Sequence, residues 1–308
     1  MQGIELSRAF YEEYGKPMLE REFSEYVDRI AVGLVGHGSE CLGFDDEISR
    51  DHDFEPGFCM WLTENDEEKI GFKLFRSYSK LPSEYNGFKL KEKSLYGNNS
   101  KGVMKISEFY KYYTGICGAP QSNLDWLYTP SHYLAEATNG EVFCDTLGEF
   151  TRIRNEIKHG MPEDVRLKKL ASCAFLLAQT GQYNYSRCLS HGESGAARLA
   201  LSKFVMQGME TIFLLNKVHM PYYKWAFRSM TKLPVLGEWS ASLEKLLDTP
   251  NTNAKQNQDV IESFCAAIIS EMRKQGITGA ESDYLESHAY NINERIKDCS
   301  MRNMPIML

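Results

Sequence analysis

Long hydrophobic runs are missing from this sequence of 308 residues. The longest apolar stretches, such as residues 171–178, are far shorter than the roughly 20 residues that a membrane-spanning helix requires. The first residues, MQGIELSRAFYEEYGKP, are polar and acidic and lack the apolar core of a signal peptide. These absences predict a cytoplasmic protein that has no membrane partner.

Cysteine pairs and an excess of basic residues are also missing. None of the eight cysteines forms a C-x-x-C pair, and no pair of histidines has zinc-finger spacing, so we expect reduced thiols and no structural zinc. The net charge of −7 argues against broad nucleic-acid binding, which requires a basic surface. A local basic pocket for a nucleotide remains compatible with this charge.

The distribution of apolar residues changes character near residue 150. Before that point, short β-rich runs alternate with helical stretches, and after it almost every segment has the spacing of an amphipathic helix. The sequence therefore predicts an α+β fold. A small mixed-sheet domain would cover residues 1–150, and an all-helical bundle would cover residues 151–308.

Turn and breaker residues divide these domains into elements. Glycine and proline at positions 15 and 17 predict a break between helices at residues 3–14 and 16–25, and the polar run TPNTNAKQNQ predicts a linker over residues 249–258. Strands are predicted from short apolar, β-rich runs. They cover residues 29–36, 49–62, 102–107 and 141–144.

The segment that carries chemistry is GHGSECLGFDDEISRDHDF, residues 36–54. An apolar strand ends at Gly38–Ser39, and after eleven further residues Asp51 and Asp53 enter a second strand. Residues two apart on a strand point to the same face, so the two carboxylates are predicted to project together. Two convergent carboxylates suit Mg²⁺, which takes one or two protein carboxylates together with substrate phosphates.

The Gly38–Ser39 turn supplies the complementary phosphate site. Its backbone N–H groups and the Ser39 hydroxyl could hold a triphosphate, and glycine leaves the approach of a phosphate unobstructed. Together with the carboxylates, this turn predicts an in-line phosphoryl-transfer site.

The combination of strand, Gly-Ser, about ten residues and Asp-x-Asp resembles the signature of the DNA polymerase beta-like nucleotidyltransferase superfamily. The resemblance implies that Asp51 and Asp53 are catalytic and bind one or two Mg²⁺ ions, and that Gly38 and Ser39 bind the nucleotide. It further implies transfer of a nucleoside monophosphate from a nucleoside triphosphate, with ATP expected, to an acceptor hydroxyl. The acceptor is open between a small molecule and a protein.

One departure from that signature concerns the third carboxylate. The superfamily usually carries it on the strand that follows the next helix, and the corresponding run here, GVMKIS, contains no acid. Glu108, directly after this run, is the nearest candidate for the catalytic role, and Asp145 after the following strand is another. The general base and a second metal depend on which acid, if either, fills this role.

A second resemblance extends over residues 30–235. The sequence resembles an uncharacterised bacterial family with a nucleotidyltransferase-like first half and a helical second half, distantly similar to aminoglycoside and lincosamide nucleotidyltransferases. Its blocks here are DWL, GEVFCD, QYNYSR, FLLN and PYYKW. The resemblance implies that Arg187 and Lys224 bind the phosphates, and that Asn184 and Tyr185 contribute to nucleotide or acceptor binding.

Two other functions remain open. A nucleotide sensor or partner-binding protein without catalysis would explain the missing third carboxylate. The run Arg154-Asn155-x-x-x-His159 resembles the ribonuclease motif of HEPN domains, in which the motif lies on a helix of a four-helix bundle. A basic helix C-terminus that complements the helix dipole explains the same residues without ribonuclease activity.

Overall fold

The predicted α+β class is confirmed by the computed structural model, which describes residues 2–47, 55–89 and 101–307. The chain forms two compact units. Unit 1 contains a small mixed sheet and comprises residues 1–121 and 133–160, and unit 2 is helical and comprises residues 122–132 and 161–308.

Unit 1 contains a four-stranded sheet whose strands are β1 (Ala31–Leu34), β2 (Cys59–Leu62), β5 (Gly102–Lys105) and β6 (Glu141–Cys144). Their order across the sheet is β5-β2-β1-β6. Strand β1 pairs antiparallel with β2 and with β6, whereas β2 pairs parallel with β5. Strands β1 and β2 are apolar and buried along their whole length, as central strands covered on both faces must be. A separate hairpin pairs β3 (Glu84–Tyr85) with β4 (Phe88–Lys89).

The pairing register defines two ends of this sheet. Gly33 lies opposite Cys59, which in turn lies opposite Gly102, so the end of β1 and the starts of β2 and β5 share one end. Leu34 lies opposite Glu141, which places the start of β6 there as well. We call this the bend end, and the opposite end, marked by Ala31 and Lys105, the far end.

The helical start of unit 1 is continuous, so the break predicted at positions 15 and 17 is wrong. Helix α1 (Gly3–Phe10) passes through a π-helical turn at Tyr11–Gly15 into α2 (Lys16–Glu22). Pro17 stands in the first turn of α2, directly after the π-helical turn. Gly15 is needed for packing, because a Cβ there would lie 2.5 Å from Cζ of Phe58.

The remaining helices of unit 1 pack around the sheet: α3 (Glu64–Tyr78), α4 (Ile106–Thr114), most of α6 (Ser131–Thr138) and α7 (Glu149–His159). The predicted boundary at residue 150 falls inside α7, and unit 1 extends to Gly160. Packing explains this extension. The ring of Phe150 on α7 stacks on Trp61 of β2 with centroids 4.0 Å apart, and both side chains are fully buried.

Unit 2 is built on α8 (Glu163–Leu177) and α10 (Ser194–Leu215), which pack against each other and against neighbouring helices. Helix α8 continues through a π-helical stretch, Ala178–Tyr185, into α9. The helices of this unit are α5 (Asn123–Tyr128), α8 (Glu163–Leu177), α9 (Ser186–Ser190), α10 (Ser194–Leu215), α11 (Tyr223–Met230), α12 (Ser240–Asp248), α13 (Ala254–Lys274), α14 (Leu285–Glu294) and α15 (Cys299–Arg302).

The linker predicted at residues 249–258 is wrong, because most of it is helical. A 3-10 turn at Asn251–Asn253 leads into α13 at Ala254. Asn257 is buried and its Nδ2 donates to the Tyr185 hydroxyl at 2.7 Å, so the polar run contributes to the core. Tertiary contact here overrides a composition that is typical of a loop.

No helix in the described ranges combines the length and the apolar character that crossing a membrane would require.

Truncating Phe150 tests the packing of α7 on the sheet. Phe150→Ala removes a ring that has no exposed surface, so the free energy of unfolding should fall by about 3–5 kcal/mol. Phe72→Ala is the matched control, since 62% of that side chain is exposed and the expected loss is below about 0.5 kcal/mol. Urea denaturation measures both, and equal losses would contradict the assignment of α7 to unit 1.

His288 predicts acid sensitivity of unit 2. Its Nδ1 lies 3.0 Å from the Thr278 hydroxyl and its Nε2 lies 2.7 Å from the Ser282 carbonyl oxygen, and burial lowers the pKa of the imidazole. The unfolded chain therefore binds this proton more readily, so the stability contribution is complete above about pH 6.5 and is lost as pH falls through the folded pKa.

We expect the unfolding free energy of the wild type to fall more steeply between pH 7 and pH 5 than that of His288→Asn. Denaturant titrations at a series of pH values measure the two slopes. Parallel curves for the two proteins would show that His288 does not couple stability to pH.

Candidate functional site

The segment that leaves β1 forms a bend, residues 36–43, that is exposed at His37 and Gly38. Gly36 and Gly38 have φ values of +124° and +114°, a region that side-chain-bearing residues rarely adopt. His37 and Gly38 are exposed and Ser39 is half-buried, so a ligand can reach the bend. Within the described part of the chain, the Ser39 side chain makes no helix-capping hydrogen bond.

Asn139 and Gly140 fasten both ends of the bend. The Gly36 N–H donates to Asn139 Oδ1 at 2.9 Å, and Asn139 Nδ2 donates back to the Gly36 carbonyl at 2.8 Å. The Gly140 N–H donates to the Cys41 carbonyl at 2.8 Å. The bend is therefore held in one conformation before any ligand binds, which lowers the entropic cost of binding.

Arg154 supports the same two residues from helix α7. One guanidinium nitrogen, Nη2, donates to the carbonyls of Asn139 and Gly140 at 3.1 and 3.2 Å. Burial lowers the pKa of Arg154 from its usual value, and Nε is buried without a hydrogen-bond partner among the described residues. Arg154 therefore stabilises the turn that holds the bend. Asn155 and His159 are exposed on α7, which packs against the sheet.

A buried ion pair lies directly beneath Gly38. The Glu40 carboxylate packs against the Cα of Gly38, so any Cβ at that position would overlap it. Glu40 Oε1 lies 3.5 Å from the Lys101 ammonium, and the two side chains are only 9% and 5% exposed. Lys101 also donates to the Glu55 carbonyl at 3.1 Å, which connects the bend, the start of β5 and the chain before β2.

His37 projects from the bend beside a carboxylate and a tyrosine. Its Nδ1 lies 2.8 Å from Oε2 of Glu136 on α6, and its Nε2 lies 3.0 Å from the hydroxyl of Tyr112 on α4. The neighbouring Glu136 carboxylate raises the pKa of His37, and partial burial opposes this effect. Glu136 therefore favours the protonated form of the imidazole over the neutral form.

The predicted metal ligands Asp51 and Asp53, together with His52, lie outside the described residues. In residues 2–47, 55–89 and 101–307, no group of three or more His, Cys, Asp or Glu side chains is arranged to hold a metal ion. The described chain resumes at Glu55, whose carbonyl oxygen accepts from the same Lys101 that pairs with Glu40. The aspartate segment is thus followed by a residue at the bend end of the sheet.

Glu108 and Asp145 are not brought together with the bend. Glu108 is exposed and pairs with Lys105 at 3.6 Å, at the far end of the sheet. Asp145 follows the last residue of β6 at the same far end, where it accepts from the Gly148 and Thr151 N–H groups and caps α7. Neither acid adjoins Gly38 and Ser39, so both are poorly placed to act as a third carboxylate.

The predicted phosphate-binding residues Arg187 and Lys224 belong to unit 2. Both side chains are exposed, with the Arg187 guanidinium 5.5 Å from the Tyr183 ring centroid and the Lys224 ammonium 5.0 Å from that of Trp225. Tyr185 is fully buried and accepts from Asn257, so its role is structural. Asn184 is half-buried in the π-helical stretch.

The sequence does not predict that Lys101, Glu136 and Asn139 lie at the bend, and it predicts a different role for Arg154. Asn139–Gly140 was recognisable as a turn, but its bonds to the bend span about a hundred residues of sequence. Lys101 stands immediately before the short strand β5, where only its burial distinguishes it from an ordinary surface lysine. These pairings arise from the sheet order, which local patterns do not encode.

Comparison with known proteins gives one match. Residues 126–226 match the model of a family described as a domain of unknown function, DUF4037. This stretch contains Glu136, Asn139 and Arg154, but it excludes the bend and Asp51. No curated protein matches the sequence, and no solved structure matches the chain.

The Glu40–Lys101 pair predicts a coupled effect on stability. Lys101→Met leaves the buried Glu40 carboxylate without its counter-charge, so the free energy of unfolding should fall by about 3 kcal/mol. The double variant Glu40→Gln/Lys101→Met should lose less than Lys101→Met alone, because it removes the uncompensated charge. A double-mutant cycle in urea measures this difference, and additive losses would contradict the pairing.

Proposed function

We propose that this protein is a Mg²⁺-dependent nucleotidyltransferase that moves a nucleoside monophosphate, with ATP as the expected donor, to an acceptor hydroxyl. One observation carries the proposal. The Gly38–Ser39 bend is fixed in place at the end of a strand, and Glu55, which follows Asp51 and Asp53 in the sequence, is bonded by Lys101 at the same end of the sheet.

The bend fits the phosphates of a nucleotide. Its two glycines have positive φ values and carry no side chain that would obstruct a phosphate, and His37 and Gly38 are exposed. The Ser39 hydroxyl adds a donor, and Lys101 balances the negative charge of Glu40 beneath the bend. His37 adds a cationic group at the surface.

The chemistry follows from these positions. Asp51 and Asp53 would hold Mg²⁺, which neutralises charge on the transferring phosphate and on the leaving group. The acceptor oxygen forms a bond to the α-phosphorus, the bond from that phosphorus to the bridging oxygen breaks, and pyrophosphate leaves with the electron pair. The acceptor proton passes to a base or to solvent. The acceptor is a small molecule or a protein side chain.

Binding of Mg²⁺·ATP tests the proposal directly. Isothermal titration calorimetry should show binding to the wild type and a Kd at least about tenfold weaker for Asp51→Ala and for Asp53→Ala, because losing one charged interaction costs about 1.5–3 kcal/mol. Asp28→Ala is the matched control, since this exposed aspartate precedes β1 at the far end of the sheet. Equal affinities for the wild type and the three variants would contradict the proposal.

A nucleotide sensor without catalysis is the second candidate, and the positions of Glu108 and Asp145 favour it. Both acids lie at the far end of the sheet, so neither supplies a general base beside the bend. Release of pyrophosphate from ATP, measured across a broad set of acceptor alcohols and proteins, separates the two candidates. Tight Mg²⁺·ATP binding without any release would favour the sensor.

A further inference from the structure

We propose that His37 and Glu136 form a proton-dependent contact for polyphosphate, in which the imidazolium of His37 binds a terminal phosphate at the bend. This inference rests on the proposed function for its ligand class, and it assigns a residue and a pH dependence that the Gly-Ser and Asp-x-Asp pattern does not contain. Its geometry lies entirely within the described residues of unit 1.

The first argument is position. His37 stands between Gly36 and Gly38, so its side chain leaves the bend two residues before Ser39. Asn139 fixes Gly36 with two hydrogen bonds, which limits the movement of the neighbouring His37. The imidazole is exposed, with 47% of the side chain accessible, and a solvated phosphate can reach it.

The second argument is orientation. Glu136 Oε2 lies 2.8 Å from Nδ1 and its side chain is only 16% exposed, so this carboxylate is a close counter-charge that favours the protonated ring. Nε2 points to the hydroxyl of Tyr112 at 3.0 Å, a neutral and exposed partner that a phosphate oxygen can replace. A hydrogen bond from the imidazolium Nε2–H to a phosphate joins opposite charges and is stronger than the bond from the same N–H to the neutral Tyr112 hydroxyl.

The third argument is the set of groups that face the ring. Glu136 contacts it from α6, the rings of Tyr112 and Tyr113 lie 5.5 Å away on α4, and the Cys41 thiol contacts the His37 carbonyl. In the part of the chain that the structure describes, Glu136 is the charged partner of the imidazole. The pKa of His37 is raised by this carboxylate, so a positive charge persists toward neutral pH.

The sign of the pH dependence follows. The protonated fraction of His37 rises as pH falls, and it is lost as pH rises through the pKa of His37, which lies above the ordinary histidine value of about 6.5. Affinity for polyphosphate should therefore be high in mild acid and should fall in mild alkali. Removing the Glu136 charge should move this fall to lower pH.

Inorganic pyrophosphate is the probe, titrated calorimetrically into the full chain at pH 6, 7, 8 and 9. We expect the wild type to bind about tenfold more tightly than His37→Gln at pH 6, the size of one charge-assisted hydrogen bond, and the ratio to approach one at pH 9. The ratio cancels the protonation of pyrophosphate itself, because the ligand is the same for both proteins. The affinity of Glu136→Gln for pyrophosphate should fall to that of His37→Gln at a lower pH than the affinity of the wild type does.

Proton NMR of the His37 ring supplies a second measurement that needs no ligand. The wild-type resonance should titrate above pH 6.5, and the Glu136→Gln resonance should titrate lower. Three results would each overturn the inference. The first is equal affinity of the wild type and His37→Gln for pyrophosphate at every pH, and the second is the absence of pyrophosphate binding. The third is the same ring titration in the wild type and Glu136→Gln. Failure of the proposed function has a different signature, which is Mg²⁺·ATP affinity unchanged by Asp51→Ala.

Discussion

The antiparallel pairing of β1 with β2 is the constraint on which the rest of the structure depends. It sets Gly33 opposite Cys59, so the chain leaving β1 and the chain entering β2 lie at one end of the sheet. The strands are buried on both faces, and a shift in register would bring polar neighbours into the core. The fixed register of the central strands therefore brings the bend, Glu55 and Lys101 to the same end of the sheet.

Charge balance at this end is maintained by pairs drawn from distant segments. Glu40 is matched by Lys101, and Glu136 by His37. The first pair is buried beneath the bend, whereas in the second pair the His37 side chain is 47% exposed and can change its protonation. Under the proposed function, an anionic ligand would add charge to a bend whose conformation Asn139 already fixes.

Local patterns in the sequence predict the α+β class and the main strands, because β-rich apolar runs such as Ala31–Leu34 carry their own signal. They fail where tertiary packing decides, as in the continuous helix through Gly15 and the helical start of α13. The Gly38–Ser39 bend was predictable from its glycine. Its clamp by Asn139 and its ion pair with Lys101 were not, because both depend on which strands become neighbours.

A crystal structure with Mn²⁺ and a non-hydrolysable ATP analogue tests the central claim most directly. The account predicts anomalous scattering from Mn²⁺ between the Asp51 and Asp53 carboxylates, and phosphate oxygens within hydrogen-bond distance of the Gly38 and Ser39 N–H groups. Phosphates bound elsewhere, or a metal held by neither aspartate, would contradict it.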